Sequence, residues 1–259
     1  KNLRCKEINN KNDFIFDLFS ERIIDSLKII TLDFKNILIL GDQETKIIKY
    51  IQKRYKDSAI SICNFKNKNS SNLILKNIKV KNLNLNLWIE ESKKYDLIIS
   101  NLFLSFSDNL SELLDKILIS LVPNGLLLAT LPTPENFYSL KSAMIKTDLE
   151  VYKGAYNRFN RNIDLQDILQ IMKKINFKIP TVNTEKIILE YTKFDKLLHD
   201  VRSMNLSYYY EDKKNTFEKK IYFKRLEYNY HKNHNNNFEL LTNFYLISGW
   251  KEHSSQQKP

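Results

Sequence analysis

Glycine is scarce in this chain: four occur in 259 residues, at positions 41, 125, 154 and 249. No stretch therefore offers several adjacent backbone N–H groups free of Cβ atoms, the usual cradle for a phosphate or nucleotide. Cysteine is scarcer still. Cys5 and Cys63 lie far apart with no CxxC or Cys/His ligand spacing, which excludes a disulfide framework or zinc site as a sequence-level reading and suits a reducing compartment. Long apolar runs are missing too. Leu118 to Leu131 is broken by Pro123, Asn124 and Gly125, short of the roughly 20 residues a spanning helix requires, so no membrane span is expected. The chain opens on Lys1 rather than Met, and a cleaved organellar presequence is one explanation this admits.

What is abundant is Lys, Asn, Ile and Leu. Forty-one Lys and Arg against thirty Asp and Glu give a formal charge of +11. Such an excess favours nucleic acid, an acidic protein or an anionic surface as neighbour. Much of it is Lys scattered beside Asn, as in Lys66 to Lys81 and Lys213 to Lys232, which also fits plainly solvated loops. At 42% hydrophobic the chain can bury one large α/β core or a core with a smaller appendage.

Residues 1 to 10 are polar and read as loosely ordered. Phe14, Phe16, Phe19, Ile23, Ile24 and Leu27 recur at helical spacing. Asn36 to Gly41 is a continuously apolar strand ending on glycine, as buried parallel strands do. Helix is expected from about Glu44 to Tyr55, strand over Ser58 to Cys63, and one strand at most between Phe65 and Leu87. Tyr95 to Asn101 is the next buried strand. Leu110, Leu113, Leu114, Ile117 and Leu121 mark a helix, and Pro123-Asn124-Gly125 turns it into a strand from Leu126 to Leu131. Asn162 to Ile175 is amphipathic, Asn176 to Pro180 reads as a turn into a further strand, and Glu185 to Tyr191 continues it. Phe194 to Met204 and Asn215 to Asn229 look helical, and Phe244 to Trp250 strand-like. Alternation of strand and helix predicts an α/β protein with a mostly parallel, doubly wound sheet.

The order of strand with glycine, helix, strand, Tyr95 to Ser100 and then Leu121-Val122-Pro123-Asn124-Gly125 resembles class I S-adenosylmethionine-dependent methyltransferases. The ends narrow the resemblance. Gly249-Trp250-Lys251-Glu252-His253 followed by Ser255-Gln256 and Pro259, the helix with Leu197, Asp200, Arg202, Ser203 and Met204, and the helix Phe14 to Arg22 are similar to the malonyl-acyl-carrier-protein O-methyltransferase and mitochondrial complex I assembly factor 5 subfamily. The resemblance spans about residues 12 to 259. It implies a Rossmann-like core over 30–192, a helical extension over 1–29 and a C-terminal helical insertion with a final strand over 193–259, and leaves open whether 132–161 form a lid. It also implies a cofactor site at Gly41, Asp42 and Gln43, at Asn64, and at Asn101 on the acceptor side.

The chain departs from the family where the cofactor would bind. With Gly41 as the first glycine of Gly-x-Gly-x-Gly, Gln43 and Thr45 take the other two places, and Ile39 takes that of the preceding acid. The carboxylate that accepts from ribose hydroxyls falls on Asn64, which accepts without charge. Ser105-Phe106 stands where the family often has His-Trp, so no catalytic base is named. Asn101 reads as a side-chain amide facing a substrate or as a turn residue.

His199, His231, His234 and His253 fall outside the expected core loops, and no metal is assigned. Tyr208-Tyr209-Tyr210 with Tyr222, Phe223, Tyr228 and Tyr230 reads as core packing of an appended domain or, less simply, as a stacking surface. Arg158 and Arg161 read as an anion contact or as solvated side chains. The expectation is a catalytically degenerate methyltransferase-like protein, a scaffold or assembly component of a larger protein complex, in a mitochondrial matrix or bacterial cytoplasm. The alternatives are an active enzyme using S-adenosylmethionine, and a ribosome- or RNA-associated component. Oligomeric state is left open.

Overall fold

The computed structural model describes residues 2–6, 14–41, 45–64, 78–82, 94–204, 206, 218–232 and 234–253. They form two compact units. The larger draws on Phe16–Pro132, Ile163–Thr184 and Tyr245–Pro259, the smaller on Lys1–Ile15, Thr133–Asn162 and Glu185–Phe244.

In the larger unit the chain runs through α1 (Phe14–Ile29), β2 (Asn36–Leu40), α2 (Thr45–Arg54), β3 (Ala59–Asn64), β4 (Ile78–Asn82), β5 (Tyr95–Asn101), α3 (Leu110–Ser120) and β6 (Leu121–Pro132). It adds α5 (Leu165–Lys174) and the inner parts of β7 (Lys178–Tyr191) and β8 (Phe238–Trp250). Its strands follow the order β8-β6-β5-β2-β3-β4. The pairs β5/β6, β5/β2, β2/β3 and β3/β4 are all parallel. This is the doubly wound arrangement expected: the chain steps outward from β2 to β4, then returns to the other side of β2.

Period-two alternation sorts the strand residues between two cores. Ile37, Ile39, Leu97, Ile99, Leu126 and Leu128 meet Ile23 and Leu27 of α1 and Ile47 and Ile51 of α2. Leu38, Leu40, Ile98 and Leu127 meet Leu113, Leu114 and Ile117 of α3 and Ile168 and Met172 of α5. Each such aliphatic side chain contributes about 1.5–3 kcal/mol on full burial, which explains why the strands read as unbroken apolar runs.

Local chemistry fixes the element ends. Asn109 caps α3 by accepting from the Glu112 N–H at 3.1 Å, and its amide reaches back to the Glu112 carboxylate at 3.4 Å. Asp96 accepts from the N–H groups of Lys35 and Asn36 at 2.8 and 2.7 Å, holding the start of β2.

The expected turn at Pro123-Asn124-Gly125 lies inside β6 rather than before it. Leu121 is level with Tyr95 and Leu126 with Leu97, so Val122 to Gly125 bulge out opposite a single residue. Asn124 takes a left-handed φ of 62° there. A Cβ on Gly125 would meet the Val122 carbonyl oxygen at 2.7 Å, so the bulge requires glycine.

The smaller unit contains β1 (Asn2–Lys6), α4 (Tyr138–Tyr152), α6 (Phe194–Ser203), α7 (Lys220–Asn229) and the outer parts of β7 and β8, in the order β1-β7-β8. Its core gathers Tyr191, Phe194, Tyr222, Leu226, Tyr230, Phe238 and Leu240. Tyr222 and Tyr230 face inward as the packing reading expects, while Tyr228 is exposed. Tyr208-Tyr209-Tyr210 lies outside the described residues.

Two expectations are corrected here. Residues 1–10 are not wholly loose: Asn2–Lys6 form β1, parallel to β7 with Asn2 level with Lys186 and Lys6 with Glu190. Backbone pairing depends little on side-chain polarity, so polarity hid it. Finally, β7 and β8 are continuous strands of 14 and 13 residues, longer than the segments the apolar pattern marks.

Candidate cofactor site

In a doubly wound sheet, ligands bind beyond the carboxyl ends of the strands where the winding reverses. Here that point lies between β2 and β5. Leu40 is level with Ser100 and with Cys63, so Gly41, Asn64 and Asn101 come together at the ends of three neighbouring strands. The fold thus gathers three of the residues marked from the sequence. Asp42 and Gln43 lie outside the described residues, and Asn64 is placed by its backbone only.

Gly41 has φ 121°, a region that side-chain-bearing residues rarely adopt. Its retention is therefore explained by the strand-to-helix turn itself, whatever binds nearby. Ile39, where the family has an acid, is fully buried among Ile23, Ile47 and Ile99, and a carboxylate there would need a polar partner that this core lacks.

Asn101 is 3% exposed. Its amide nitrogen donates to the Phe16 carbonyl at 3.3 Å and the Ser20 hydroxyl at 3.2 Å, and its oxygen accepts from the Thr130 hydroxyl at 2.7 Å. Thr130 in turn accepts from the Leu102 N–H at 2.9 Å, and Ser20 donates to the Phe16 carbonyl at 2.8 Å. This network ties α1 to the ends of β5 and β6. Lys46, at the start of α2, pairs with Glu21 of α1. Ser100 Oγ is buried with no partner among the described residues; a single hydroxyl cannot replace the missing carboxylates.

The C-terminal motif that carries the resemblance has a structural task. The Lys251 N–H donates to the Gly125 carbonyl at 2.9 Å, and the Lys251 carbonyl accepts from Asn124 at 3.1 Å. The Lys251 ammonium donates to the carbonyls of Ile119 and Leu121 at 3.0 and 2.6 Å, satisfying groups left open at the end of α3. A Cβ on Gly249 would stand 2.6 Å from the Met172 methyl and 2.8 Å from the Phe177 ring. His253 and the other histidines join no metal-binding group among the described residues.

Sequence reasoning missed a second polar cluster, in the smaller unit. Asp148, fully buried on α4, accepts from Arg158 at Nε (3.0 Å) and at a terminal nitrogen. The guanidinium also reaches Glu218 at 2.9 Å and lies 4.6 Å from the Tyr222 ring centre. Burial works against the charge on Arg158, but hydrogen bonds to Asp148 and Glu218 outweigh it and raise its pKa above the ordinary value. Burial likewise pushes the Tyr222 phenol upward. Arg158 is thus committed internally.

A parallel sheet reversing at Gly41 and Asn101 is the plan of one large class, and the chain has the Rossmann-like fold of class I methyltransferases. YcgJ from Bacillus subtilis shares the fold with a TM-score of 0.62 at 9% identity, over 92% of this chain and 100% of that one. An S-adenosylmethionine-dependent methyltransferase from Mesorhizobium loti does so at 0.52 and 12%, over 91% and 100%.

In sequence, the chain is similar to the mitochondrial arginine-hydroxylase NDUFAF5 of Dictyostelium discoideum, 29% identical over 175 residues, 65% of this chain and 39% of that protein. The human NDUFAF5 is 23% identical over 253 residues, 96% and 73%. Malonyl-[acyl-carrier protein] O-methyltransferase 1 of Coxiella burnetii is 22% identical over 192 residues, 71% and 62%. The match thus spans less than half of the Dictyostelium protein. No family model matches the chain.

Proposed function

We propose that this chain is a methyltransferase-like protein that has lost ordinary cofactor chemistry and acts as a scaffold or assembly component of a larger protein complex. The observation that carries this reading is Asn101. Its amide, at the point of the fold where a bound molecule would be met, is spent on Phe16, Ser20 and Thr130. Ile39, Gln43, Thr45 and Asn64 add to it, each standing where the family has a glycine or an acid. Two relatives carry "mitochondrial" in their names, which supports a mitochondrial matrix setting.

Equilibrium dialysis against radiolabelled S-adenosylmethionine tests the proposal. Equal label in the protein and blank chambers is expected. Saturable retention would contradict it, and would favour a second reading, an active enzyme that modifies a protein partner, for which the retained Gly41 turn and the relatives named arginine hydroxylases speak.

A further inference from the structure

Within the smaller unit, α4, the end of α7 and the start of β8 border an open groove of about 680 Å³. Its floor is apolar: Ala143, Ile188 and Leu241, with Tyr138 at one end. Lys146, His231 and Lys232 stand on its rim, with Glu239 as the one carboxylate among the lining residues. Lys146 and Lys232 are exposed and make no ion pair among the described residues. Lys232 is held with its ammonium 5.1 Å from the Phe238 ring centre.

The outer line of α4 continues the apolar surface, since Tyr138, Ile145 and Leu149 recur at one-face spacing and are 66%, 49% and 51% exposed. Three exposed apolar side chains aligned on one helix face, beside a groove with an apolar floor, are the kind of surface that marks an interaction site.

We propose that this groove docks an acidic segment of a protein partner, one apolar or aromatic side chain seated on the floor and carboxylates meeting Lys146 and Lys232. Charge complementarity selects this occupant. Among the lining residues Lys146 and Lys232 outnumber the one carboxylate, Glu239, with Glu150 of α4 also within electrostatic reach of Lys146, and the chain as a whole carries +11, so an acidic partner is steered in and a basic one repelled. The proposal goes beyond the scaffold reading and is independent of whether the cofactor end binds S-adenosylmethionine.

The test pans a phage-displayed library of random 12-residue peptides on the full chain, then measures the recovered peptides by fluorescence anisotropy. Selected peptides should be rich in Asp and Glu around an aromatic or aliphatic residue. Their Kd should rise about tenfold or more in K146E/K232E, the loss of two rim contacts of ordinary strength. Ser142→Trp, which fills the groove without altering charge, should weaken binding too, with both variants melting like the parent. Peptides without acidic enrichment, or an affinity unchanged in both variants, would overturn the proposal. So would phosphatidylglycerol vesicles binding through the same lysines while no peptide is selected.

Discussion

Asn101, marked from the sequence as a cofactor-site residue, sits in a buried hydrogen-bond network. A side-chain amide has two donors and an acceptor able to take two bonds, and three of these meet Phe16, Ser20 and Thr130 in a buried setting. Truncation leaves the Thr130 and Ser20 hydroxyls underused in the core, and an unsatisfied buried group costs about 1–3 kcal/mol. Asn101→Ala should therefore lower thermal stability by that amount and expose α1 to faster amide exchange, read by hydrogen–deuterium exchange across Phe16–Leu27. Unchanged exchange in α1 would show that the network does not hold the helix. Gly249 and Lys251 make the same point from the other end. Their motif is the most specific in the sequence, yet Gly249 makes room for Met172 and Phe177, and Lys251 closes the β6 bulge and the end of α3.

Charged groups lie along the contact of α4 and α7, beside the stacked rings of Tyr152 and Tyr222. Asp148 with Arg158 and Glu218 forms the buried part, and Glu150 with Arg225 and Asn229 the outer part. Removing one partner of a buried ionic group strands the other, at about 3–5 kcal/mol. Asp148→Asn should therefore destabilise the protein by several kcal/mol in urea denaturation, far more than Arg225→Gln at the exposed pair, and comparable small losses in both would contradict the account.

The outer pair makes a pH prediction. Hydrogen bonds from Arg225 and Asn229 hold the Glu150 carboxyl below its ordinary value of 4.5. Its folded pKa is thus below the unfolded one, so the contribution is complete above the ordinary glutamate range and is lost as pH falls through the lowered value. Glu150→Gln should lower Tm at neutral pH and flatten the acid side of a plot of Tm against pH below about 4.5, where the two proteins converge.

This chemistry also explains what the sequence conceals. The inward face of α4 carries Thr147 and Asp148 beside Leu140 and Ala143, so no apolar period betrays the helix. By contrast α1, α3, β2 and β5 bury aliphatic side chains throughout and are legible to within a residue or two of their ends.

At the level of the molecule, the doubly wound sheet and its reversal point were readable because parallel strands buried on both faces must be apolar and because the Gly41 turn admits little else. The commitment of Asn101 was not readable. It depends on α1 folding back across some eighty residues of sequence, which no local pattern encodes. Nor could the sequence place Arg158, whose partners Asp148 and Glu218 lie ten and sixty residues away.

The central claim is that a methyltransferase-like fold here survives without ordinary cofactor binding. It is tested most directly by isothermal titration calorimetry of the full chain with S-adenosylmethionine and S-adenosylhomocysteine. The account predicts no saturable heat up to about 1 mM ligand, a binding free energy weaker than about −4 kcal/mol. A micromolar Kd, near −8 kcal/mol, would contradict it.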